Sequence, residues 1–148
     1  MKNIKKYTNK TNFILVTLSV PQTASGITNI QQIIINIEKI LAIRENKDGS
    51  TIYYCDHCIS VKNSYKSLID ELKQYKEFSR FTEIIGFNER GVLIPYKLNI
   101  DLSQIYYAYY IPGTRLDNPC YKYYIYFKPD KTYDILLYTY TDLSNLNN

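Results

Sequence analysis

Thr28-Asn-Ile-Gln-Gln-Ile-Ile-Ile-Asn-Ile-Glu-Lys-Ile-Leu41 is the stretch whose reading decides the fold. Ile30, Ile33, Ile34, Ile37, Ile40 and Leu41 recur at helical spacing and line one stripe. Thr28 and Gln31 stand three apart, as in a capping box. The pattern predicts an amphipathic helix, ended by the turn chemistry of Asp48-Gly49. Upstream, residues 13–20 (Phe-Ile-Leu-Val-Thr-Leu-Ser-Val) are apolar on both faces, which suits a central strand. Downstream, residues 51–61 read as a second strand. Together the three elements predict a β-α-β unit with parallel strands and a right-handed crossover.

A second helix is predicted after Asn63 or Ser64. Tyr65, Leu68, Ile69, Leu72 and Tyr75 form its inner face, and Lys66, Asp70, Glu71, Lys73 and Lys76 a solvated outer one. From Glu83 onward the apolar period switches to two. Residues 83–87 and 92–101 read as a hairpin around Asn88-Glu-Arg-Gly91, with Pro95 indicating an edge strand or bulge. Residues 104–111, 121–128 and 133–141 complete the series. The expected fold is α+β: two early helices on one face of a mainly antiparallel sheet, an N-terminal β-α-β unit followed by a C-terminal strand meander. Residues 12–143 are expected to form one domain, with a basic, flexible lead-in over 1–11 and a frayed tail over 144–148.

Twelve of the seventeen tyrosines fall between Tyr96 and Tyr140. In Tyr121-Lys-Tyr-Tyr-Ile-Tyr-Phe-Lys128, period two places Tyr121, Tyr123, Ile125 and Phe127 on one face, expected to be core. Lys122, Tyr124, Tyr126 and Lys128 share the other, joined by Tyr106 and Tyr110 from the preceding strand. Such a basic and aromatic face suits a protein interface, where tyrosine supplies rigid, low-entropy contacts. It also suits stacking on single-stranded nucleic acid. Arg115, in the polar loop 112–119, is placed within reach of the same surface.

The net charge of +4 on 148 residues is too small for a dedicated nucleic-acid binder, whose affinity comes from neutralised phosphates. With 21 Ile, 17 Tyr, 14 Lys and 13 Asn, the chain is rich in residues encoded by A and T alone, as in AT-rich phage, virus or mobile-element genomes. Three cysteines, Cys55, Cys58 and Cys120, form no disulfide framework and point to a reduced, cytoplasmic setting or a virion. A lysine-rich start, eight apolar residues and Ala24-Ser25-Gly26 imitate a signal peptide, but that run is short and ends at Pro21; a buried strand is preferred. No apolar run approaches the roughly 20 residues of a membrane-spanning helix.

Cys55-Asp-His-Cys58 is the most motif-like tetrad. On one continuous strand its two thiols would face opposite ways, which disfavours a shared metal, and His57 is expected to be half-buried. A small enzyme built on Cys55 and His57 is the weaker alternative. A single histidine excludes the paired-histidine set of a rolling-circle endonuclease, and Gly26 alone is no phosphate loop. Glu83, Glu89, Asp101, Asp117, Asp130, Asp134 and Asp142 are scattered, with turn chemistry explaining several. The sequence therefore leads to a non-enzymatic interaction or assembly protein without cofactor or metal. Its expected partner is another protein or its own copies, with single-stranded nucleic acid as the alternative and no membrane.

Overall fold

The computed structural model describes residues 12–88, 94–111 and 121–146. The chain divides into two compact units, Met1–Phe81 and Thr82–Asn148. In the first unit the expected β-α-β unit is absent. Strands β1 (Phe13–Ala24), β2 (Ile27–Asn36), β3 (Ile40–Asn46), β4 (Gly49–Tyr54) and β5 (His57–Val61) lie in the order β2-β1-β5-β4-β3. Every pairing among them is antiparallel.

The residues read as a first helix are β2, a single 3-10 turn (Ile37–Lys39) and the start of β3. Ser25 and Gly26 both take positive φ, at 53° and 78°, and close a two-residue hairpin between Ala24 and Ile27. Positive φ at both loop positions gives the turn whose twist matches the flanking strands. β-branched isoleucine then packs well on the pleated surface. Thr28 caps nothing: it lies exposed in β2, beside Asn29 at a φ of 59°. Ile34, assigned inward by helical spacing, faces out, while Ile35 and Ile37 are buried.

Asp48-Gly49 is a turn, but it joins β3 to β4, two strands. The predicted strand 51–61 is two strands folded at Cys55-Asp56, where Cys55 has a φ of 40°. β1 does lie between two neighbours, yet its row Phe13 and Leu15 is exposed, so only one face is core.

The second predicted helix is present as α1 (Tyr65–Leu72). Ser64 caps it by accepting a 3.1 Å bond from the Ser67 N–H, satisfying one of the four free donors of the first turn. Tyr65, Leu68, Ile69, Leu72 and, just beyond, Tyr75 are buried against Ile14, Val16, Ile43, Ile52 and Val61 in one aliphatic core. Asn63 ties this core to β1: its Oδ1 accepts from the Thr17 N–H at 3.0 Å, and its carbonyl accepts from the fully buried Ser50 hydroxyl at 2.9 Å.

The second unit holds β6 (Phe81–Phe87, one residue of which precedes the boundary), β7 (Pro95–Asp101), β8 (Tyr107–Ile111), β9 (Tyr121–Tyr126) and β10 (Ile135–Thr139), in the order β7-β6-β10-β9-β8. Alternation puts Ile94, Tyr96, Leu98 and Ile100 on one face; Tyr96, Leu98 and Ile100 are buried, but Ile94 is 54% exposed, and Asn99 and Asp101 of the opposite row are buried. Pro95 opens β7, where it costs no interior ladder bond. The centre of the predicted hairpin loop, residues 89–91, lies outside the described residues. The molecule is thus mostly antiparallel sheet with one α-helix among the described residues, and the α+β expectation fails at its first helix.

A tyrosine edge and an adjoining cavity

β8 ends the strand order of the second unit and, among the described residues, pairs only with β9, from Tyr107↔Tyr126 to Ile111↔Lys122. Its residues are mostly exposed, with Tyr109 at 56% and Tyr110 at 51%, and Tyr106, just before it, is at 58%. Strand pleating sends these rings to two faces.

On the first face Tyr106, Tyr107, Tyr109 and Tyr126 form a ladder. Ring centroids are 5.2 Å apart for Tyr106 and Tyr107, 4.8 Å for Tyr107 and Tyr126, and 5.6 Å for Tyr109 and Tyr126. These tilted and edge-to-face arrangements are the ones the ring quadrupole favours. Tyr126 is buried beneath Tyr107 and Tyr109, so it supports the face without presenting much surface. Burial among its neighbours, followed by hydrogen bonding to Tyr109, holds the Tyr107 phenol above the ordinary tyrosine range. Further along, Tyr124 stacks on Tyr133 at 5.0 Å. The Lys122 ammonium lies 5.3 Å from the Tyr124 ring centre and 5.5 Å from that of Tyr138. Hydrogen bonding to those two phenols raises its pKa above that of a free lysine.

On the second face Tyr110 meets Tyr121 and Tyr123 at 5.7 and 5.5 Å. These three rings form one wall of a cavity of about 550 Å³, completed chiefly by Leu102, Ile105, Leu143 and Leu146. The size is that of a small-molecule pocket. Two matching 3-10 turns, Leu102–Gln104 and Leu143–Asn145, contribute to its lining. Each is capped by an aspartate: Asp101 Oδ1 accepts from the Ser103 N–H at 3.1 Å, and Asp142 Oδ1 from the Ser144 N–H at 3.0 Å. The Ser144 hydroxyl, followed by its N–H, holds the Asp142 carboxyl below the usual range. The Tyr123 hydroxyl accepts from the Leu143 N–H at 3.0 Å and donates to Asp142 at 3.3 Å. Burial raises the Tyr123 phenol pKa.

Lys122, Tyr124, Tyr126 and Tyr106 therefore lie along the first face, and Lys128 follows the end of β9. Tyr110 belongs to the second face, opposite to its expected position, because it pairs directly with Tyr123. Arg115 and the whole of loop 112–119 lie outside the described residues, as does Cys120. Tyr107 and Tyr109 were not singled out, although their i, i+2 spacing on a strand matched to β9 carries the signal. The recurrence of Asp-Leu-Ser at 101 and 142 was a legible sign of the twin turns.

Cys55 and Cys58 are exposed cysteines at the β4–β5 turn. His57 is exposed, not half-buried, because it closes that turn; its Nδ1 lies 2.7 Å from Asp56 Oδ1. Among the described residues no three His, Cys, Asp or Glu side chains converge as metal ligands, and no helix is long and apolar enough to cross a membrane. No protein-family model matches the chain, and no curated protein or solved structure matches it.

Proposed function

We propose that this is a non-enzymatic interaction or assembly protein, docking through the tyrosine-rich edge of its second unit onto a protein partner or identical subunits. The observation that carries this reading is the exposure of Tyr106, Tyr107, Tyr109 and Tyr110 on and beside a single edge strand. Aromatic side chains concentrated on an edge strand supply contact area beside a backbone edge that is open among the described residues. A part in assembling, or in inhibiting a host factor for, an AT-rich phage, virus or mobile element accords with the composition.

Protein is favoured over single-stranded nucleic acid because cation is scarce among the described residues of the face. The ammonium of Lys122 is taken up by Tyr124 and Tyr138, which leaves Lys128 as the other lysine read onto it. Nucleic-acid affinity scales with phosphates neutralised. The test is size-exclusion chromatography with light scattering at low and high salt, reading the 260/280 nm ratio, for the wild type and a Tyr107→Ser/Tyr109→Ser variant. A nucleic-acid-free, salt-indifferent assembly that the double variant loses supports the reading. A nucleic-acid-loaded species stripped by salt, or an elution unchanged in the variant, overturns it.

A further inference from the structure

The cavity on the second face of the tyrosine sheet has a one-sided lining. Among the described residues around it, Asp142 is the one charged side chain, and no lysine or arginine contributes. The Ser144 hydroxyl and N–H, followed by the Tyr123 hydroxyl, hold its carboxyl below the usual carboxylate range with no neighbouring cation involved. It is therefore ionised at neutral pH. Its Oδ1 accepts from the Ser144 hydroxyl at 2.7 Å, the Ser144 N–H at 3.0 Å and the Tyr123 hydroxyl at 3.3 Å. Its Oδ2 accepts, among the described residues, one 3.3 Å bond from Asn145 Nδ2, which leaves that oxygen room for another donor. Capping does not account for the charge, because asparagine or serine caps a turn equally well. The twin turn supplies the contrast: Asp101 is fully buried and lines no part of the cavity, whereas Asp142 is half-buried and does.

Opposite chemistry stands beside the carboxylate. Tyr121 and Tyr123 stack at 6.2 Å with 23° between their planes, and Tyr110 tilts against them by 41° and 36°. Such rings draw a cation to their negative faces, most strongly where water is excluded. Leu102, Ile105, Leu143 and Leu146 make the rest of the wall aliphatic. We propose that this cavity binds a small organic ammonium ion, its apolar body against the aliphatic wall and its cationic head between the tyrosines and the Asp142 carboxylate. An anion would meet the carboxylate with no cation to offset it. A polyhydroxylated ligand would turn most of its hydroxyls toward leucine and isoleucine, where they find no partner. A ligand cation satisfies the charge, the rings and the apolar wall together.

Ligand-observed NMR titrations compare three probes that share one ring and differ in charge: benzyltrimethylammonium, benzyl alcohol and benzoate. The wild type should bind the ammonium ion about tenfold more tightly than the alcohol, with benzoate weakest. Asp142→Asn, which keeps a capping side chain, should bring the ammonium affinity down to that of the alcohol and leave the alcohol unchanged. Tyr110→Leu keeps apolar bulk at an exposed position and should weaken the ammonium ion about threefold while sparing the alcohol. Circular dichroism shows that each variant keeps its fold. Equal binding of the three probes, no binding of the ammonium ion, or an ammonium affinity untouched by Asp142→Asn overturns the proposal. The inference does not rest on the docking reading, and the two fail separately. Tyr107→Ser/Tyr109→Ser alters the opposite face and should bind the ammonium ion as the wild type does, whatever its elution shows. Loss of the ammonium ion in that variant would put the cation on the first face and overturn its assignment to the cavity.

Discussion

Each unit ends in an exposed strand, and the two are made of different chemistry. β2 is aliphatic and amide-rich, has no charge, and belongs to a hairpin whose inner row joins an aliphatic core. β8 is tyrosine on both faces, with phenol hydroxyls at the rim and rings braced on β9. An aliphatic edge offers area and backbone groups but little orientation; a tyrosine edge adds hydrogen bonds and ring geometry that discriminate between partners. The difference teaches that two edge strands of one chain offer a partner different things, depending on which side chains flank the same backbone.

The largest expected effect breaks the aliphatic side from within. Gly49 has a φ of 111°, and a Cβ there would collide with the Val61 carbonyl oxygen, a backbone atom that cannot turn away. Gly49→Ala should cost roughly 3 kcal/mol or more, seen as a large drop in the urea midpoint of the first unit. On the tyrosine side, a Cβ at Gly86 would stand 2.5 Å from Tyr96 Cζ and 2.9 Å from Leu137 Cδ1. Those are side-chain atoms able to shift, so Gly86→Ala should cost about 1–3 kcal/mol by the same assay.

Smaller still is Tyr123→Phe, which removes the hydroxyl joining Leu143 and Asp142, at about 1–2 kcal/mol. It also sharpens the comparison by pH. The Asp142 carboxyl is held low, so its stabilisation is present above about pH 3.9 and lost as pH falls through the folded value. Tyr123 is held high, so its share is full below about pH 10 and lost as pH rises through the folded value. Asp142→Asn should flatten the acid limb of the stability profile and Tyr123→Phe the alkaline limb. Smallest of all, Ile34→Lys and Tyr109→Lys should each move stability by no more than about 0.5 kcal/mol, both being surface positions. The effect of Tyr109→Lys should appear in association alone.

The sequence made the late strands legible because alternation is unambiguous where tyrosine, isoleucine and lysine take turns, as in residues 121–126. It made α1 legible through Ser64 and the spacing of Leu68, Ile69 and Leu72. It failed at residues 28–41, where six isoleucines satisfy two periods at once. Helical counting accepted Ile30, Ile33, Ile34 and Ile37 but left out Ile35, which alternates with Ile33 and Ile37 and is buried. Ser25-Gly26 was the arbiter, being a turn pair between two β-branched runs. The Cys55-Asp56 turn was not legible: Asp56 is a common turn residue but Cys55 is not, and Tyr53-Tyr-Cys-Asp-His57 offers no glycine or asparagine to mark the break. At the tyrosine edge, composition located the region, but the face of Tyr110 depended on a register with β9 that only pairing fixes.

The ladder of Tyr106, Tyr107, Tyr109 and Tyr126 also has an optical consequence. The chain has no tryptophan, so its near-ultraviolet emission comes from phenol rings alone. Rings whose centres lie 4.8–5.6 Å apart exchange excitation among themselves before they emit. Light absorbed by one ring leaves from another of different tilt, and its polarisation is scrambled even while the strand stands still. A partner that pulls these rings apart would restore the polarisation, which makes the ladder a reporter of its own rearrangement.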